Sequence, residues 1–464
     1  MDASRDNNEK LLSLLQSEDE RNVELAFQIC VGLQGAYDFE VTKALRQEVL
    51  RCVKHQIETH YINNLTQLNL HFKKLATLPE EIGSLPLLHS LNLEGNYLSN
   101  LPHQISALTQ LTTLNLAGNT FTALPDELLA LKNLQSLNIN ASGLKDVIHI
   151  ARLNNLEELF LTYNKISELP SSIGQLPKLK QLNLGQNRLQ AIPESIGQLH
   201  CLEVLVLNGN QLRRLPQAIG DLQHLHHLAL LFNRIESLPP TIGELTSLEK
   251  LELNGNQLKK LPGNIKKLAV LRNLQLRDNR LTQLPPEIGE LKALQLLNLG
   301  DNDIKTLPAS IGQLTSLKVL DLSSNYLEAF PEEASHLANL QELALQENPD
   351  LDYGQVCSYL LPLQKLTKLG LSNNQLLKIP ENLLQLKSLQ TLTLNFNHLK
   401  KLPVEIAQLT HLQTLDLSHN NLEDLPESIQ QLETLKELIL WGNPIDRATQ
   451  QKIKEWLPFC EVKV

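Results

Sequence analysis

The stretch Leu248-Glu-Lys-Leu251-Glu-Leu253-Asn-Gly-Asn256-Gln-Leu258-Lys-Lys-Leu261-Pro262 decides how this chain folds. Leu251 and Leu253 lie two residues apart, so they share one face of a short strand. Lys250 and Glu252 then point the opposite way, into solvent. Asn256 stands where the chain leaves the strand. Its amide is both donor and acceptor, so it can bond buried backbone groups of adjacent turns. Pro262 cannot donate to a ladder and suits a turn or a short helical start.

The same skeleton recurs along the chain. With the Asn as a ruler, it stands at Asn96 and Asn119, is replaced by Ser142, and resumes at Asn164. It continues at Asn187, Asn210, Asn233, Asn256, Asn279, Asn302, Asn325 and Asn348, every step being 23 residues. A step of 26 leads to Asn374, and the spacing of 23 returns at Asn397, Asn420 and Asn443. A first, imperfect copy carries Lys73 in the Asn slot, which gives about 17 copies. A fixed period of this length predicts a solenoid in which strands pair in parallel and their leucines stack into one core. Aromatic residues make up only 4% of the chain, as expected when aliphatic layers replace a globular core. Gly243, Gly289 and Gly312, in the recurring Ile-Gly, are expected to let the backbone turn tightly before the next strand.

Both flanks depart from the repeat. Residues 1–62 read as an N-terminal helical cap. Leu11, Leu12, Leu14 and Leu15 start an apolar segment, and Ser17 with Glu20 has the form of a capping box. Gly32 and Gly35 end that helix, and Val41, Ala44, Leu45, Val49, Cys52, Val53 and Ile57 predict a single third helix. Residues 63–446 form the array, irregular at 143–163 and 349–365, the latter expected to build a longer helix opposite the sheet. Residues 447–464 read as a C-terminal cap, with a helix over Arg447–Trp456 and a strand in Cys460–Val464 closing the sheet edge. Both ends are thus expected to be covered, as in a complete molecule.

Charge and composition exclude several functions. A net charge of −10 argues against generic nucleic-acid or membrane-surface binding. The first residues lack the apolar core of a secretory signal, and no apolar run is long enough to span a membrane. Cys30, Cys52, Cys201, Cys357 and Cys460 are scattered, which predicts buried free thiols in a reducing cytoplasm. His224, His226 and His227 do not converge on a metal, since strand alternation turns His227 away from the other two. No hydrolase, dinucleotide, redox or phosphate-loop motif is present, so no enzyme activity and no cofactor are expected.

Leu-Pro-Glu-Glu-Ile-Gly83, Leu-Pro-Ser-Ser-Ile-Gly174 and Leu-Pro-Pro-Glu-Ile-Gly289, each leading into x-L-x-x-L-x-x-L-x-L-x-x-N, resemble the Ras-group, Shoc/Sur-type leucine-rich repeat. That type also occurs in disease-resistance proteins. The resemblance implies an α/β solenoid, a curved horseshoe with a concave parallel β-sheet. It also implies a non-enzymatic intracellular scaffold, often in signalling, that binds a protein partner on its concave face. An exported surface or adhesion-type protein is the alternative.

Candidate contact residues follow from the repeat. The position between the two strand leucines is usually small and polar, as in Asn92, Asn115, Asn138, Asn183, Asn298 and Thr393. Phe160 and Val206 break that rule, Leu231 follows just beyond its strand, and His227 and Phe232 lie alongside. Lys250, Glu252, Arg277, Asp278, Asp321 and Glu342 form a charged band. Ile439 and Trp441 are expected to pack under the C-terminal cap. Just after the Asn column, Arg188, Arg213, Arg214, Arg234, Lys259, Lys260, Arg280 and Lys305 make a basic stripe suited to a partner with an acidic surface. The aromatic interleaving that nucleic acid requires is missing, and a monomer is expected.

Overall fold

A computed structural model describes residues 2–464 and the side chains from residue 6 onward. The chain divides into two compact units, residues 1–188 and 189–464.

The first unit opens with five helices: α1 (Asp2–Leu15), α2 (Glu20–Leu33), α3 (Phe39–Leu45), α4 (Val49–His55) and α5 (Thr59–Asn63). Val23, Ala26, Phe27, Cys30, Val41, Leu45 and Cys52 form their common core. The N-cap of α2 is Asp19, whose carboxylate accepts from the Arg21 N–H. Ser17, expected to cap, instead accepts from the Asp19 N–H and the Asn22 amide. Gly32 lies inside α2, which Gln34 closes in the left-handed conformation, followed by Gly35. The single helix expected over 41–57 is two. Asp38 caps α3, and backbone bonds from Gln47 to Ala44 and from Glu48 to Leu45 tighten the chain into a turn before α4. The apolar spacing survives the break because α3 and α4 face the same core. α4 packs against the short 3-10 helix Glu80–Ser84 of the first repeat.

Each repeat then contributes a three-residue strand and, on the opposite side, a short 3-10 helix. In the first unit the described strands run from Gln67–Asn69 to Glu158–Phe160 and Gln181–Asn183, paired in parallel with no slip of register. In the second unit they run from Val204–Val206 to Glu437–Ile439, with Glu461–Lys463 added at the end. Both units are leucine-rich solenoids with one buried aliphatic core each, built from every second strand residue. The thirteenth copy replaces its 3-10 helix with α6 (Tyr353–Leu360), capped by Asp352. The last helix is α7 (Arg447–Trp456).

The Asn column is buried, apart from the half-buried Asn443 at its end, and hydrogen-bonded. Asn256 is 7% exposed; its amide donates to Leu230 O and Leu253 O at 2.9 Å, and its Oδ1 accepts from the Ile235 N–H at 3.0 Å. One side chain thus joins its own repeat to the preceding one. The residue before each Asn in the second unit is left-handed, from Gly209 (φ 63°) to Gly442 (φ 78°), and includes Phe232 (φ 54°). The Ile-Gly glycines have a different role from the one expected. Gly243, Gly289 and Gly312 do not have positive φ; a Cβ there would collide with the carbonyl oxygen of Asn264, Ser310 or Glu333 in the next repeat. Glycine is needed so that successive 3-10 helices can pack at close range.

Asn256→Ala leaves the buried Ile235 N–H unpaired and takes one of two amide donors from Leu230 O and from Leu253 O, which keep their bonds to Asn233 and Asn279. At about 1–3 kcal/mol for the unsatisfied N–H and about 0.5–1 for each bond lost at the carbonyls, the loss should be roughly 2–5 kcal/mol. Urea denaturation checks this, and a loss below about 1 kcal/mol would mean that neighbouring groups or water replace the ladder.

Candidate protein-binding surface

In the second unit, strand alternation places Val204, Val206, His227, Ala229 and Leu231 on the face opposite the leucine core. Register sets Val204 beside His227 and Val206 beside Ala229. Val206, His227 and Leu231 are all half-buried. Leu231 is fixed by its N–H, which donates to Asn208 Oδ1 of the preceding repeat at 2.8 Å. Val204 belongs to this patch although the sequence reading passed over it. Its position precedes the first strand leucine, a column in which Ser and Thr are frequent, and that was the available signal.

Phe232 stands at the edge of the same patch, 64% exposed. Its ring lies over Gly255, where a Cβ would come 2.5 Å from the ring. A left-handed conformation costs a residue with a Cβ about 1–2 kcal/mol. A large apolar ring therefore occupies a position that glycine fills at no such cost.

Phe160 belongs to the first unit. It is half-buried on the face opposite the leucines, with Asn138 and Asn183 as strand neighbours. The next N–H on that face, Thr162, donates to Asn140 Oδ1 at 2.6 Å.

Much of the charged band is paired within the sheet face. Glu252, expected in solvent, is only 9% exposed. It bonds His227 Nε2 at 2.6 Å and Lys250 Nζ at 2.9 Å. Burial tends to raise its pKa, but the hydrogen bonds from Lys250 and His227 outweigh burial and hold it below the usual carboxylate range. Arg277 pairs with Asp301 and approaches Asp321 to 3.7 Å, while Glu342 pairs with Lys368. Asp278 is not on the strand; it occupies the left-handed position after it.

The basic stripe is different. Arg213, Arg214, Arg234, Lys259, Lys260 and Arg280 are exposed and have no carboxylate partner within ion-pair distance among the described residues, whereas Lys305 pairs with Glu328 at 2.8 Å. Arg188 lies in the first unit.

Two further expectations change. Trp441 is 54% exposed, not covered; it meets His419 edge-on at 5.1 Å, and His419 stacks on Phe396 at 4.3 Å. Cys30, Cys52 and Cys357 are buried, and burial raises their thiols to about 11, 12 and 12, but Cys201 is exposed and Cys460 half-buried. His224 and His226 are exposed, and no group of metal-ligating side chains occurs among the described residues.

The leucine-rich repeat region family matches residues 26–168, 171–260 and 257–371, and a further leucine-rich repeat family matches 364–422 and 387–445. The chain belongs to the leucine-rich repeat family. It is similar to a leucine-rich repeat protein of Leptospira interrogans, at 38% identity over 87% of this chain and 97% of that one, with a TM-score of 0.73. It is also similar to the plant peptide hormone receptor RGFR1, solved in complex with RGF2, at 25% identity, 82% and 71% coverage and a TM-score of 0.63. The functional domain of InlJ from Listeria monocytogenes, at 21% identity, 81% and 73% coverage and a TM-score of 0.60, shares the fold. No curated protein matches the chain. Leucine-rich repeat proteins generally mediate protein–protein interaction, and the fold is typically a non-enzymatic scaffold. No helix among the described residues is long and apolar enough to cross a membrane.

Because the folded pKa of Glu252 is depressed, its contribution to stability is present above its ordinary value of 4.5 and is lost as pH falls through the lower folded value. Glu252→Gln should therefore melt below the parent chain near pH 7, and the gap should close as pH falls below 4.5 and through the lowered folded value. Thermal melts across pH check this; a gap independent of pH would mean that shape, not charge, holds the cluster.

Proposed function

We propose that this protein is a non-enzymatic scaffold of the Ras-group, Shoc/Sur-like type that acts in intracellular signalling. It sits in the cytoplasm as a monomer and binds a protein partner on the concave face of its array. Residues 1–62 and 447–464 serve as caps on the array of residues 63–446. The observation that carries the reading is the apolar patch of Val206, Leu231 and Phe232. It lies on a sheet face that the fold does not need to be apolar, and it includes a bulky ring in a backbone conformation that disfavours it. Binding energy concentrates in a few apolar contacts that lose their water, which is the role such a patch can fill. His227 is held beside it by Glu252. In the first unit, Phe160 is a contact residue in its own right, the apolar exception in a polar column. Arg213, Arg214, Lys259 and Lys260 remain free to steer a partner with an acidic surface.

Phe232→Gly gives a clean test. Glycine relieves the left-handed strain, so the melting temperature should hold or rise, while capture of the main cytoplasmic partner should fall at least tenfold. Unchanged capture would remove the patch from the interface. Reversal of Arg213, Arg214, Lys259 and Lys260 to Glu should slow association and flatten its salt dependence, with little change in folding. Kinetics that stay constant across a salt series would assign the stripe to solubility. Partner capture confined to the outer surface of intact cells would favour the exported, adhesion-type alternative.

A further inference from the structure

A second feature of the same sheet face lies farther along the second unit. The column that carries Asn298 and Asp321 shrinks to a methyl at Ala344 and to no side chain at Gly370 before resuming with Thr393 and Asp416. The sheet dips there into a recess of about 270 Å³ lined by Asp321, Glu342, Ala344, Gln346, Gly370 and Thr393 among others. Gln346 folds across Gly370 so closely that any Cβ at that position would strike its amide. Glycine is thus part of how the recess is made.

The polar atoms facing it are incompletely used. Among the described residues, four buried side-chain polar atoms have no hydrogen-bond partner, and two of them, Gln346 Oε1 and Thr393 Oγ1, belong to side chains that line this one recess, where a small rotation would bring them to its surface. Leaving such groups unpaired costs about 1–3 kcal/mol each, so a ligand that bonds them recovers that loss. At the rim, Asp321 Oδ1 accepts from Ser323, but Oδ2 has only Arg277 Nη1 at 3.7 Å, beyond hydrogen-bond distance. The one lining cation, Lys368, is tied to Glu342. The recess therefore offers acceptors and a net negative lining.

We propose that this recess receives the guanidinium of an arginine side chain projecting from the protein partner. A guanidinium carries five N–H donors in one plane and stays charged, which suits several acceptors around a shallow floor. An anion would meet Asp321 and Glu342, and an apolar side chain would leave Gln346 Oε1 and Thr393 Oγ1 unpaired. The proposal rests on the reading of this sheet face as a protein-binding surface.

The test uses the full chain with labelled methyl groups at Ala344 and Thr393. N-acetyl-arginine amide is titrated while these methyl resonances are followed, with N-acetyl-lysine amide and the neutral citrulline analogue as comparisons. Saturable shifts with the arginine compound, at least tenfold weaker with citrulline, support the proposal. Asp321→Asn should weaken the response at least tenfold. Ala344→Leu should abolish the Thr393 shift by filling the recess, and its melting curve shows whether it remains folded. Equal responses to arginine and citrulline, stronger binding of lysine, or no methyl shift would overturn the proposal. Loss of partner capture in Phe232→Gly without any arginine-dependent shift would reject the recess but keep the binding surface. Arginine-dependent shifts with capture unaffected by either Phe232→Gly or Ala344→Leu would reject the surface and keep the recess as a guanidinium site.

Discussion

The buried Asn ladder is the constraint on which each unit depends. A strand of three residues buries too little surface to fix its own position, and the 3-10 helix opposite it has few internal hydrogen bonds. Asn256 supplies what both lack by bonding two carbonyls and one N–H, two of these three groups belonging to the preceding repeat. The same pattern holds at Asn233, Asn279, Asn302 and Asn325. Because the bonds cross from repeat to repeat, stability accumulates through interfaces, as in other solenoids. Where Ser142 replaces Asn, its hydroxyl makes longer bonds, 3.4 Å to Leu116 O and 3.3 Å to Asn140 O.

The ladder also frees the opposite sheet face from any duty in folding. The polar residues there are nevertheless not all idle. Asn298 and Asp416 accept from the backbone N–H two residues on, closing the turn at the strand end. Where Ala229 cannot do this, Asn208 of the preceding repeat supplies the acceptor for Leu231. At Phe160 the same substitution is made, Asn140 accepting from the Thr162 N–H, whereas Val206 has Gly185 at the equivalent place one repeat earlier and no such acceptor. Most of the charged residues beside them are paired with one another, whereas Arg213, Arg214, Arg234, Lys259, Lys260 and Arg280 of the stripe have no carboxylate partner among the described residues.

Much of this was legible in the sequence. The period located the strands, the Asn column and both irregular copies, and alternation assigned Phe160 and Val206 to the face away from the core. Most of the errors have a common cause. Glu252, Trp441 and the Ile-Gly glycines were read from local pattern, and each was decided at least in part by a neighbour about one repeat away; Ser17 instead lost to a competitor two residues on. Asp19 outcompeted Ser17 for the α2 terminus; Lys250 and His227 drew Glu252 under cover; His419 and Phe396 received Trp441 outside the cap.

What the sequence determined by itself is the repeat: its period, its alternation and its family, because a side-chain period fixes which residues can share a core. Only the tertiary structure decided which surface groups are spent and which are free. Whether Gln346, Thr393 or Arg213 has a partner depends on side chains 20 or more residues away that stacking brings alongside, and no local pattern encodes that.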